Sequence, residues 1–132
     1  MVEVNIGSGG QGLHLEIETP DHLLATLRSD GLTASCWVFY GYTNGLQELV
    51  RFFEQLAQDW SGWPGTRVWE SLEEELRIEA KHELGHVQLL VTLTKTRTGW
   101  RPEGWKVTVH LTIDPGQELA QIAPDLAQLT DG

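Results

Sequence analysis

Four carboxylates in six residues, Glu70, Glu73, Glu74 and Glu75, form the densest group of side chains in this chain that could do chemistry. Paired carboxylates are what glycoside hydrolysis uses, one as acid and one as base or nucleophile. Here they follow a stretch rich in Gly and Pro, and a charge run in that setting reads as a solvated face. The histidines offer a metal-site test. His82 and His86 are four apart, but Gly85 lies between them and the flanking residues alternate, so they belong to a turn, where helical ligand spacing does not apply. His86, His110 and Glu79 could share one face of a sheet as a three-ligand set. That face is the polar one, where a scattered histidine is solvated, and no metal or other cofactor is expected.

Nucleophilic catalysis needs a serine or cysteine activated by a neighbouring base. No G-x-S-x-G elbow occurs, and neither Ser61 nor Ser71 has an activating context. Cys36 is the single cysteine and lies in an apolar alternating run, so it reads as a buried, unreactive thiol with no disulfide partner. The glycine-rich stretch Gly7–Gly12 lacks the Lys-Ser/Thr of a phosphate-binding loop and reads as a turn. No catalytic residue is assigned.

The chain has 132 residues, the size of one domain spanning 1–132. Nineteen acids against nine bases give a net charge of −10. Lys95, Arg97, Arg101 and Lys106 are too sparse a basic group for phosphate neutralisation, so nucleic acid is not an expected ligand. The acidity mainly implies solubility and leaves room for attraction to a basic protein partner. No run of apolar residues is long enough to span a bilayer, and no signal peptide is visible at the start, so a cytoplasmic location and no membrane are expected.

The elements that would position these residues are legible from periodicity. Val2–Ile6, Leu13–Glu18, His22–Arg28 and Leu32–Tyr40 alternate as strands, and Asp30-Gly31 supplies a tight hairpin turn. Trp37 and Phe39 add a second apolar face to the fourth strand, which predicts a central position. Leu46, Leu49, Val50, Phe53, Leu56, Ala57 and Trp60 form one helical stripe, with Asn44 as its cap. Leu76–Ala80, Val87–Leu93 and Trp105–Ile113 read as an antiparallel meander. Asp114, with Gln117 three residues on, starts a short final helix that Pro124 should kink or split. The expected fold is α+β: one antiparallel sheet of about six or seven strands packed against the long Leu46–Trp60 helix.

The joint between helix and meander carries three of the six tryptophans, in D-W-S-G-W-P-G-T-R-V-W-E-S-L-E-E-E-L at Asp59–Leu76. With G-H-V-Q-L-L-V-T-L at Gly85–Leu93 and G-Q-E-L-A-Q-I-A at Gly116–Ala123, it resembles a family of small bacterial proteins known as domain of unknown function 6228. The likeness runs from about residue 20 to 130 and omits the glycine loop. It implies a shared fold and no catalytic residues, because the family has no assigned activity.

Within the joint, Trp60 ends the helix stripe and Trp69 precedes a strand, so both are expected between helix and sheet. Trp63 lies between Gly62 and Pro64-Gly65, where a side chain can project from a turn. An exposed Trp beside Arg67 and acids has the composition of an interface hot spot. Trp63, Arg67, Glu70, Glu73, Glu74 and Glu75 are therefore the expected partner-binding residues. Two functions fit: a non-enzymatic immunity-type or regulatory domain that covers a basic protein surface, or a small enzyme or ligand-binding domain with a pocket between helix and sheet. A large cleft with convergent polar groups distinguishes the second from the first.

Overall fold

A computed structural model describes residues 3–8, 10–41, 45–95 and 104–131. Strands β1 (Glu3–Ile6), β2 (Gly12–Ile17), β3 (His22–Ser29) and β4 (Leu32–Phe39) are followed by helix α1 (Gly45–Gln58). Strands β5 (Thr66–Glu70), β6 (Leu76–Glu83), β7 (His86–Lys95) and β8 (Trp105–Ile113) are followed by helix α2 (Gln117–Asp131). The order ββββα thus occurs twice. Each set of strands is an antiparallel meander in sequence order, and each makes its own four-stranded sheet.

This corrects the expectation of one six- to seven-stranded sheet on one long helix. The alternating runs are strands as read, but α1 carries the chain away from β4, and β5 starts a new sheet. The fifth strand, inside the tryptophan-rich joint, was not anticipated: its five residues alternate half-buried Arg67 and Trp69 with exposed Thr66, Val68 and Glu70. Nor is β4 central. It pairs with β3 alone, and Trp37 stands on its open face at 51% exposure. Asn44, Val2, Arg97 and Arg101 lie outside the described residues.

The core follows from the period of two. In the first sheet Val4, Ile6, Leu13, Leu15, Leu23, Ala25, Leu27, Cys36 and Val38 are buried on one face. The second sheet buries Leu76, Ile78, Ala80, Leu89, Val91 and Leu111 in the same way. Together with Leu49, Phe53 and Leu56 of α1 and Leu119, Ile122 and Leu126 of α2, these make one continuous core. The helices lie against each other along a groove between Val50 and Ala57 of α1 and Ala120, Ala123 and Ala127 of α2.

Helix α2 begins on its expected cap, with a different partner. Asp114 Oδ1 accepts the Gly116 N–H at 2.8 Å, and Glu118, rather than Gln117, reaches back to the Asp114 N–H at 2.9 Å. The helix runs through Pro124 as one element. Pro124 and Ala120 are both exposed, so the Ala120 carbonyl that lacks an N–H partner sits where water is available.

The tryptophans of the joint exchange the places expected for them. Trp60 lies beyond the end of α1 and is 59% exposed, whereas Trp63 is 8% exposed and packed in the core. Gly62 has φ of 138°, a conformation open to glycine, and the chain turns there so that Trp63 points inward. Its indole N–H donates to the Ala80 carbonyl at 3.3 Å, and its ring meets the His82 ring edge-on at 5.4 Å. His82 Nε2–H in turn donates to the Trp60 carbonyl at 2.9 Å. Trp63→Ala is therefore expected to cost about 3–5 kcal/mol through lost burial and a cavity, while Trp60→Ala stays within about 0.5 kcal/mol. Urea melts of the two variants check this, and a greater loss in Trp60→Ala would contradict it.

Candidate functional site

The loop joining β5 to β6 holds the acidic run, and it disperses the four carboxylates. It is closed by the Ser71 N–H donating to the Leu76 carbonyl at 2.9 Å and the Glu74 N–H donating to the Ser71 carbonyl at 2.9 Å. Glu74 takes φ of 63°, the left-handed conformation that lets so short a loop turn back. Glu70 faces Arg77, 3.5 Å away, and Arg77 is shared with Glu79 at the same distance. Glu75 turns inward: one carboxylate oxygen accepts the Ser71 hydroxyl at 2.8 Å, and the other accepts the Phe39 backbone N–H at 3.0 Å. Glu73 and Glu74 remain exposed, and among the described residues neither forms an ion pair.

Glu75 thereby ties the end of β4 to the β5–β6 loop, fastening one sheet to the other. Cys36 marks a second approach of the sheets, with its Sγ 3.5 Å from the Thr94 carbonyl oxygen. Burial pushes the Cys36 thiol pKa up, and the nearby Glu75 carboxylate pushes the same way against Lys95, so the thiolate is disfavoured.

Beside this fastening is a cavity of about 280 Å³. The end of β4 supplies Val38, Phe39 and Tyr40, and the first turns of α1 supply Leu46, Glu48 and Leu49. The second sheet closes it with Trp69, Glu70, Ser71 and Leu72. Its walls are mostly apolar, a few polar groups stand at its edge, and its volume is close to the lower end for small-molecule sites, about 300 Å³. The Trp69 ring contributes to the wall, and its buried Nε1–H has no hydrogen-bond partner among the described residues. Such an orphan is uncommon in a folded chain, where burying an unpaired donor costs about 1–3 kcal/mol.

The residues expected to bind a partner are thus not one surface. Trp63 is in the core, so it is not exposed as an anchor. Arg67 lies 5.0 Å over the Trp63 ring and pairs with Asp59 at 2.8 Å, which holds the joint together. Glu75 is a fastener and Glu70 stands at the cavity edge. The exposed apolar side chain among the acids is Leu72, at 53%. The Ser71 hydroxyl, bonded to Glu75, also accepts the Leu76 N–H at 3.1 Å and serves the loop.

The histidines are dispersed as well. His110 lies in register with Leu90, and Leu90 with Glu79, whereas His86 sits at the far hairpin end opposite Glu83. Among the described residues, Glu3, His14 and Glu16 bring carboxylate and imidazole atoms within 4.8 Å of one another. His14 Nε2–H donates to Glu3 at 3.1 Å, a cross-strand contact that offsets the opposition of Glu3 and Glu16 in the register.

The family of unknown function DUF6228 matches residues 12–132, nearly the whole chain. The protein is a member of that family. The match begins at β2, so β1 and the glycine loop lie before the matched segment, while all the cavity's walls lie within it. No curated protein and no solved structure matches. Among the described residues, no helix is long and apolar enough to cross a membrane.

Glu75 can be separated from the other acids by experiment. Glu75→Ala removes two acceptor positions at the junction and is expected to cost about 1–3 kcal/mol. Glu75→Gln, which keeps one acceptor oxygen, should recover part of that loss, and Glu73→Ala should have almost no effect. Equal denaturation midpoints for Glu75→Ala and Glu73→Ala would show that the junction does not depend on this carboxylate.

Proposed function

We propose that this DUF6228 protein is a non-enzymatic binding domain whose site is the cavity between α1 and the two sheets, and that its ligand is small and mainly apolar. The observation that carries this reading is the cavity itself: about 280 Å³ of largely apolar space left in a chain whose core is otherwise continuous. Close packing is the rule in interiors. A concave apolar space with few polar groups is the usual form of a small-molecule site. Phe39, Tyr40 and Trp69 are among its lining residues, which suits a ligand with an aromatic body.

A titration with 2-phenylethanol, followed by proton–nitrogen NMR, tests the site. Shifts should concentrate at residues 38–40, 45–49 and 69–72, with the Trp69 indole N–H among the largest. Saturable shifts confined elsewhere would overturn it.

A second reading rests on Leu72, Glu73 and Glu74, which are exposed side by side on the β5–β6 loop. In it, a basic protein docks on this loop, with Glu70 alongside and Leu72 as the apolar contact in place of Trp63. Complementary charge of this kind speeds association and is screened by salt over about 8 Å at physiological ionic strength. A Glu73→Lys, Glu74→Lys double variant should lose a partner that the unaltered protein recovers from its native host. Equal recovery of that partner by both proteins would remove the loop from any interface.

A further inference from the structure

Resting on the cavity reading above, we infer that the ligand is a compact aromatic or branched-alkyl amine, bound as its ammonium form. The charged residues that line the cavity are Glu48 and Glu70, and among the described residues no Lys, Arg or His lines it. The Arg77 guanidinium lies 3.5 Å from Glu70 but is also held by Glu79. Both lining carboxylates belong to exposed residues, whereas Leu23, Val38, Leu46, Leu49 and Leu76 of the lining are buried. That arrangement takes a molecule with an apolar body and a charged end, the body inward and the charge at the mouth.

The sign of the charge follows from the lining. A carboxylate ligand would meet Glu48 and Glu70 at the entrance, and the chain's net charge of −10 repels it at longer range. An ammonium gains from both. It also gains from the electron-rich faces of nearby aromatic rings, and Trp69, Tyr40 and Phe39 all contribute to the wall. The Tyr40 phenol stays neutral: burial raises its pKa, as does Asp21, and its hydroxyl donates to the Thr19 carbonyl at 3.2 Å. Size is bounded as well. At roughly 30 Å³ for each water, the 280 Å³ space equals about nine waters, room for one aromatic ring with a short amine arm.

Three probes of matched shape decide the point: 2-phenylethylamine, neutral 2-phenylethanol and anionic phenylacetate, each titrated into the full chain at neutral pH and low salt. The readout is the NMR shift of the cavity residues. The amine should bind about tenfold tighter than the alcohol, from two edge carboxylates and the ring faces together, and the carboxylate should bind weakest. A Glu48→Gln, Glu70→Gln double variant, altered only at exposed positions, should bring the affinities of amine and alcohol to within about threefold of each other. If alcohol and amine bind equally in the unaltered protein, the amine assignment is wrong and the cavity reading stands. If none of the three shifts the cavity residues, the cavity reading falls, and the amine assignment with it.

Discussion

Each of the two sheets buries one apolar face, and everything else in this structure answers to that constraint. A four-stranded meander with one greasy side cannot be dry alone. Here the two sides and the two helices converge on one core, in which Leu15, Phe53, Ile78 and Leu119 have essentially no exposure. The repeated ββββα order provides two similar half-cores that complete each other. The opposite faces carry polar pairs, such as buried Thr26 with Ser35 and buried Thr92 with Thr108, each 3.0 Å apart across neighbouring strands, beside exposed Trp37 and Leu90.

Joining two such halves leaves a seam, and the seam is where polar groups enter. Glu75 crosses it with hydrogen bonds to the β4 backbone and to Ser71, and Cys36 faces the Thr94 carbonyl nearby. A carboxylate at such a place supplies two acceptors that a backbone ladder cannot, because β4 and the second sheet are not in register with each other. The cavity lies against this fastening, where the first turns of α1, the end of β4 and the β5–β6 loop meet without filling the space. The walls of the cavity belong to elements already anchored on both sides.

The acidic run shows how position divides one residue type among several roles. Glu70 shares Arg77 with Glu79 and reaches the cavity edge, Glu75 fastens the seam, and Glu73 and Glu74 face water. Summed along the chain these four look like one negative patch. Folded, they are separated by a loop that turns back on itself through the positive φ of Glu74. The match to DUF6228 spans residues 12–132, and a shared family by itself assigns no role to any of these side chains.

By itself the sequence determined the local structure, because local structure depends on periodicity and turn chemistry. Alternation marked seven of the eight strands, Asp30-Gly31 marked the β3–β4 hairpin, and one apolar stripe marked α1. Burial of Cys36 followed from its place in an alternating run. Tertiary structure decided the rest, for reasons that no short window contains. Whether eight strands form one sheet or two depends on where α1 delivers the chain after β4, a matter of packing between distant segments. Trp60 continued the helical stripe in phase, yet the helix stops at Gln58, so the phase no longer governs its direction. Trp63 was read from its Gly and Pro neighbours as turn-exposed, but the same Gly62 freedom that allows a turn aims it at the core, where the Ala80 carbonyl receives its N–H. Pro124 does not break α2, because its side of the helix is open to water. The cavity had no local signature at all: its walls come from residues 23 to 76, and only the docking of two sheets and a helix brings them to one place.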